Sequence, residues 1–299
     1  MNLLITGAWG CAQEQFEYIE KLGHKVFFLQ NEKDALPLPY EDVEGVVCNG
    51  LFLHHSIEKF TSLKYIQLTS AGFDRVPMEY VKKNNISIYN ARGVYSIPMA
   101  EFAVGGVLQL YKQSRFFMKN QAEHSWIKHR NLFELSGKTV CIVGCGSVGT
   151  ECAKRFCAFG CTVFGVDMFP YESEYYEKMH PISELDFVLA KSDVVVLTLP
   201  LTEETKYVIN SERIANMKKN AVVVNIARGA VIDTDALIVA LNCHKIAGAV
   251  LDVFEDEPLD DKSSLWDMDN VIVTPHNSFV GEGNSVRLSE IIKSNLEMF

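Results

Sequence analysis

The chain is 299 residues long with 48% hydrophobic and 22% charged residues, which is ample for packed interiors in one large or two ordinary domains and excludes disorder. A formal net charge of −10 argues against nucleic acid or an anionic membrane as partner, because long-range repulsion opposes both; an anionic substrate must then be met by local donors. No run reaches the roughly 18 to 20 apolar residues of a membrane helix, and Met1 to Gly7 has neither a basic region nor a long apolar segment.

Along the chain, short β-branched runs recur at Leu3 to Thr6, Lys25 to Leu29, Gly45 to Cys48, Tyr65 to Thr69 and Ile86 to Tyr89, separated by stretches of helix length. Ser96, Pro98 and Glu101 then signal a helix start, and the apolar Phe102 to Tyr111 continues it as the junction between two domains. A second series follows at Thr139 to Val143, Thr162 to Val166, Val194 to Leu199, Val222 to Ile226, Ile246 to Leu251 and Val271 to Val273. This alternation predicts two α/β domains with parallel sheets. The eight cysteines lack a paired-ligand spacing, and the pairs His54-His55 and His124/His129 lack acidic or thiol partners. Reduced thiols of a cytoplasmic protein are expected, the histidines read as surface or loop residues, and no metal is expected.

The strand at Val140 to Val143 runs into Gly144-Cys145-Gly146-Ser147-Val148-Gly149, and helical sequence follows as far as Phe159. Strand, glycine turn and helix in that order match the dinucleotide fingerprint. Gly144 would permit the turn, Gly146 would let backbone approach pyrophosphate, and Gly149 would let helix and strand pack. The amides at Ser147 and Val148 would open the helix toward the anion. Asp167 ends the next strand eighteen residues after Gly149, where a carboxylate can accept from ribose hydroxyls; Met168, Phe169 and Pro170 supply no cation for a 2′-phosphate. NAD is therefore expected over NADP.

Three later strands deliver chemistry at their carboxyl ends: Arg228 after the 222–226 run, Glu255, Asp256 and Glu257 after the 246–251 run, and His276 after the 271–273 run. Reducing a 2-keto acid builds negative charge on the carbonyl oxygen as hydride reaches C2, so a permanent cation and a proton donor suit that site. A guanidinium can fork toward carboxylate and carbonyl oxygens, and an imidazole exchanges protons near neutral pH. A carboxylate on the other ring nitrogen would orient the imidazole. Phe52, Tyr95 and Phe279 are candidates either for a substrate pocket or for packing.

With these motifs in hand, the chain resembles the D-isomer-specific 2-hydroxyacid dehydrogenase family over nearly its whole length. The resemblance runs from Ser70-Ala71-Gly72-Phe73-Asp74 through the glycine turn, Leu199-Pro200-Leu201-Thr202, Ile226-Ala227-Arg228-Gly229, Asp252-Val253-Phe254, Glu257-Pro258 and Thr274-Pro275-His276. It implies Arg228, Glu257 and His276 as catalytic residues, with Arg228 also binding substrate. It also implies Leu199, Pro200, Ile226, Ala227 and Asp252 beside the cofactor, Asp252 at the nicotinamide end. Backbone amides near Ser70, Ala71 and Gly72 would hold the substrate carboxylate.

The implied fold is α/β, with two doubly wound parallel-sheet domains and substrate bound in the cleft. These are a flavodoxin-like substrate domain of residues 1–97 plus 278–299 and a Rossmann NAD-binding domain of residues 98–277. The resemblance further implies a homodimer, with Trp126 either in a dimer arm or in the core. Family members usually continue beyond the last helix with a tail that returns to the substrate domain, and here the chain stops at Phe299. The segment Cys48 to Phe52 carries no Arg or Lys, which leans toward unphosphorylated substrates such as glyoxylate, hydroxypyruvate or pyruvate. The alternative class is an NAD(H)-sensing, corepressor-like binding protein on the same fold, which would bind NADH without turnover. Formate oxidation, a third reading, is disfavoured by the His276 and Glu257 pair.

Overall fold

The structure is a computed structural model that describes residues 1–299. The chain divides into two compact units, one of Met1–Tyr95 with Gly281–Phe299 and one of Ser96–Val280.

In the first unit the strands are β1 (Asn2–Thr6), β2 (Lys25–Leu29), β3 (Gly45–Cys48), β4 (Tyr65–Leu68) and β5 (Ser87–Tyr89), with helices α1 (Phe16–Lys21) and α2 (Met78–Lys83) between them. All pair in parallel in the order β2-β1-β3-β4-β5, the flavodoxin-like arrangement. The strand order reverses between β1 and β3, the kind of switch point beside which α/β sheets bind ligands. The C-terminal segment belongs to this unit, where Leu288, Ile292 and Leu296 pack with Leu3, Ile5 and Trp9 in one buried cluster. Trp9 Nε1 donates to Ser289 Oγ at 3.1 Å, so the buried indole keeps its hydrogen bond.

The second unit begins with α3 (Ser96–Tyr111) and α4 (Ser114–Ala122), then β6 (Thr139–Val143), α5 (Ser147–Ala158), β7 (Thr162–Asp167), β8 (Lys178–Pro181), α6 (Leu185–Leu189) and β9 (Val194–Leu197). It continues through α7 (Ser211–Asn216), β10 (Val222–Asn225), α8 (Thr234–Asn242), β11 (Gly248–Leu251) and β12 (Val271–Val273); α9 (Asn284–Met298) closes the first unit. The parallel order β12-β11-β10-β9-β6-β7-β8 is the doubly wound Rossmann pattern with one further strand.

The strands β9, β10 and β11 are buried at every residue, and their side chains divide between two clusters. Val195, Val223 and Leu251 enter one cluster, while Val194, Val196, Val222, Val224 and Val250 enter the other. Both faces of this sheet are therefore covered, which is why the strands read as unbroken apolar runs. Each fully buried valine contributes about 1.5 kcal/mol or more relative to exposure. On one face α3 lies close enough that a Cβ on Gly106 would stand 2.6 Å from Val250 Cγ1.

Strand β8 escapes the sequence reading. Its residues, Lys-Met-His-Pro, lack the apolar pattern because it lies at the sheet edge, where proline and charge are tolerated. His55 is a loop residue, as expected, but a buried one. It is 7% exposed and not a surface residue, with Nε2 donating to the Glu32 carbonyl and Nδ1 accepting from the Tyr40 hydroxyl, both at 2.8 Å. All eight thiols are unpaired; four are buried and Cys243 is exposed.

Candidate active site

The sheet of the second unit reverses its winding between β6 and β9, and the glycine turn lies at that switch point. Gly144 has φ +94°, and a Cβ there would meet Leu199 N at 2.6 Å, so the turn is closed to any other residue. A Cβ on Gly149 would stand 2.2 Å from Gly144 O, which ties the first turn of α5 to the strand end. A Cβ on Gly146 would meet nothing within 4 Å. Tight turn, open face and close packing are what the three glycines of a pyrophosphate cradle require, so these residues fit NAD.

Asp167 closes β7 beside this turn. Its Oδ2 accepts from Cys145 N at 2.7 Å and its Oδ1 from Phe169 N at 2.9 Å. An ionised carboxylate has about four lone-pair positions, so room remains for two ribose hydroxyls. Thr198 Oγ1 donates to Gly144 O at 2.5 Å, fastening the segment that leads to Leu199 and Pro200 over the turn.

Strands β10, β11 and β12 are neighbours, and their carboxyl ends carry Arg228, Glu257 and His276. Beyond β10 the buried Asn225 shapes the turn: its Oδ1 accepts from Ala227 N at 3.1 Å and its Nδ2 donates to Arg228 O at 3.0 Å. Arg228 Nη1 donates to Ala227 O at 2.7 Å. Ile226 and Ala227 are buried behind it, 1% and 6% exposed.

His276 Nδ1 lies 2.8 Å from Glu257 Oε2. The carboxylate can only accept there, so Nδ1 carries the hydrogen and Nε2 is left for a ligand. The other carboxylate oxygen, Oε1, accepts from Phe254 N at 3.1 Å, so Glu257 is tied to its own loop as well as to the imidazole. His276 has φ +51°, a conformation rare outside glycine, which its surroundings impose. The fully buried Asp252 supplies that constraint: its Oδ1 accepts from Thr274 Oγ1 at 2.6 Å and Asn277 N at 2.8 Å, its Oδ2 from Ser278 N at 2.9 Å, and its carbonyl from His276 N at 2.8 Å.

Residues 104–278 match the D-isomer specific 2-hydroxyacid dehydrogenase family, NAD binding domain. The chain belongs to this family. It is 37% identical over 241 residues to a glyoxylate reductase of Thermofilum pendens, covering 79% of this chain and 71% of the relative. To a hydroxypyruvate reductase of Thermotoga maritima it is 36% identical, covering 82% and 81%. The solved D-lactate dehydrogenase of Aquifex aeolicus, complexed with NAD and lactic acid, superimposes with a TM-score of 0.80 at 28% identity, covering 100% of this chain and 95% of that one. As a 2-hydroxyacid dehydrogenase, the chain is an NAD-dependent oxidoreductase acting on a CH–OH donor.

One residue group named from sequence falls in the other unit, and the aromatic candidates differ in their surroundings. Ser70, Ala71 and Gly72 follow β4 in the first unit. The bonds that shape this turn use the Ser70 hydroxyl with the Gly72 carbonyl, the Ser70 carbonyl and the Ala71 carbonyl, and none uses the Ala71 or Gly72 amide. Phe52 is packing: it is 9% exposed and meets Phe60 edge-on. Phe279 stands 6.1 Å from the His276 ring, while Tyr95 donates its hydroxyl to Thr69 O. Trp126 is 96% exposed, so the core reading fails.

Sequence reading passed over Asn225, Thr274 and Glu32 as functional residues. The signal for Asn225 was available: a lone amide at the end of a buried valine strand must find partners. Glu32 left no such signal. Its carboxylate accepts from Thr6 Oγ1 at 2.8 Å, Asn49 N at 2.7 Å and Gly50 N at 2.6 Å, bonds made between strand ends far apart in sequence. The aliphatic stem of Arg75 also approaches this loop, its Cδ lying 3.8 Å from where a Cβ on Gly50 would stand.

Proposed function

We propose that this dehydrogenase interconverts a small, unphosphorylated 2-keto acid of the glyoxylate, hydroxypyruvate or pyruvate type and its D-2-hydroxy acid, with NAD(H) preferred over NADP(H). The observation that carries this reading is the 2.8 Å pair of His276 Nδ1 and Glu257 Oε2 on a strand end two places from that of Arg228. Bound on Gly144, Gly146, Ser147, Val148 and Gly149, with Asp167 on its ribose, the nicotinamide cofactor would supply or accept the hydride.

The chain's own residues do the rest. Arg228 forks its guanidinium toward the substrate carboxylate and carbonyl oxygens, lowering the cost of charge that develops as the carbonyl is reduced. His276 Nε2 hands a proton to that oxygen in reduction and takes it back in oxidation, while Glu257 keeps the ring in the tautomer that makes this possible. Asp252 fastens the His276 loop at the nicotinamide end, and Leu199, Pro200, Ile226 and Ala227 border the cofactor. We assign Ser70 and the Ala71 and Gly72 amides to a substrate carboxylate, which makes the unit of Met1–Tyr95 with Gly281–Phe299 the substrate domain and Ser96–Val280 the dinucleotide domain. A phosphorylated substrate is disfavoured because the Asn49 and Gly50 amides already serve the Glu32 carboxylate. A cytoplasmic setting accords with eight unpaired thiols. A homodimer accords with the exposed Trp126 and Ile127 and with the exposed Met118, which lines a trough of about 480 Å³ where α3 meets α4.

The test is NADH oxidation with glyoxylate, hydroxypyruvate, pyruvate and a phosphorylated 2-keto acid, alongside His276→Ala. Turnover of the first three and a loss of about 10²-fold or more in kcat for the variant are expected. Tight NADH binding with no turnover of any keto acid would instead mark a sensing protein, and an unimpaired His276→Ala would remove the proton-transfer role.

A further inference from the structure

The acidic run after β11 holds three carboxyl groups in succession, Glu255, Asp256 and Glu257, and the proposed chemistry uses only the last. Glu255 points elsewhere. Its Oε2 accepts from the Tyr207 hydroxyl at 2.6 Å, and its Oε1 from the Thr234 amide, at the first turn of α8, at 3.3 Å. Partial desolvation alone would raise its pKa, but the hydrogen bonds from Thr234 and Tyr207 outweigh it and hold the carboxyl below the ordinary range, so it is ionised at neutral pH. Tyr207 is itself held by its amide, which donates to Ala230 O at 2.8 Å, two residues beyond Arg228.

The same two loops meet at Gly229. A Cβ there would lie 1.8 Å from the Phe254 carbonyl carbon and 2.2 Å from Glu255 N, so the backbone next to Arg228 rests directly on the backbone leading to Glu257. Phe254 N in turn donates to Glu257 Oε1 at 3.1 Å. A continuous path of bonds and contacts thus runs from Arg228 through Gly229, Phe254 and Glu257 to His276, and Glu255 clasps its outer side.

We propose that Glu255 is a positioning residue: by joining Tyr207 and the start of α8 to the loop after β11, it fixes the spacing of Arg228 from the His276–Glu257 pair. It touches neither substrate nor cofactor in this role, and the inference rests on the catalytic reading of those three residues. A spacing error on the order of 1 Å between reacting groups can lower a rate by as much as about 10²-fold. Glu255 is solvent-exposed, and exposed polar contacts add little to global stability, so its removal separates rate from folding.

The experiment compares Glu255→Ala, Glu255→Gln and Tyr207→Phe with the parent enzyme in kcat and KM for glyoxylate, in NADH Kd by fluorescence titration, and in Tm. A fall of about fivefold to tenfold in kcat is expected for Glu255→Ala, with NADH Kd within about twofold and Tm unchanged. Glu255→Gln, whose amide oxygen still accepts, should recover most of the rate, and Tyr207→Phe should fall between. Parental kcat in Glu255→Ala, or a rate loss that follows a lowered Tm and weaker NADH binding across all three variants, overturns the proposal. His276→Ala runs in parallel: if it alone abolishes turnover, the catalytic reading stands and only the positioning role has failed, whereas full activity in that variant places the fault in the catalytic reading.

Discussion

Gly229 and Asp167 show how much a single position decides. At Gly229 the backbone of one loop fills the space a side chain would need, a fact invisible in sequence because Phe254 lies twenty-five residues on. Asp167 is the opposite case, since its place at a strand end after a glycine turn is a local pattern and was legible. Its carboxylate serves the Cys145 and Phe169 amides and keeps lone pairs for ribose, and its charge would repel a 2′-phosphate. A hydrogen bond to a charged group contributes about 1.5 to 3 kcal/mol, which is roughly 10- to 100-fold in affinity. Asp167→Ala should therefore move the NADH-to-NADPH ratio of Kd by about that factor toward NADPH. Titration of both cofactors measures it, and an unchanged ratio removes Asp167 from cofactor choice.

Strands carry the next level. Those buried on both faces were recognisable as valine runs, whereas β8 was not, because an edge strand has one side in water and need not be apolar. What joins the strands is also partly hidden. At the amino end of β9, away from the proposed site, Asp193 Oδ2 accepts from Thr139 N at 3.0 Å, while its Oδ1 accepts from Lys218 Nζ at 3.0 Å and Asn220 Nδ2 at 3.2 Å. Burial would raise this carboxyl, but the Thr139 amide and the Lys218 ammonium outweigh burial and lower it. A depressed native pKa means stability that is present above the ordinary carboxylate range and lost as pH falls through the native value. Asp193→Asn should cost about 1 to 3 kcal/mol at neutral pH. The difference from the parent should shrink in acid, and urea melts at the two pH values measure it. A pH-independent difference would contradict the assignment.

At the scale of the molecule, the −10 charge and the exposed apolar residues have to be reconciled. Charge keeps copies apart at low ionic strength, yet Met118, which lines a trough of about 480 Å³, and Trp126 are 68% and 96% exposed. Burying such side chains against a second copy would remove them from water, contributing about 25 cal/mol per Å² of apolar area before the costs of association. Met118→Glu with Trp126→Glu should convert the proposed dimer to a monomer in sedimentation velocity. A parent that sediments as a monomer over the micromolar range would dispose of the homodimer.

The sequence by itself determined the strands buried on both faces, the glycine turn with its aspartate, and the three residue types that suit keto-acid reduction. Each of these is written in neighbouring residues or in a fixed periodicity, which local sterics and burial read directly. Only the tertiary structure decided which residues hold Arg228 in place, where Glu255 turns its carboxylate, and that Glu32 occupies the Asn49 and Gly50 amides. Those choices depend on hydrogen-bond partners and on backbone contacts at a few ångströms, supplied by strand ends that lie far apart in the chain and meet only when the sheets form.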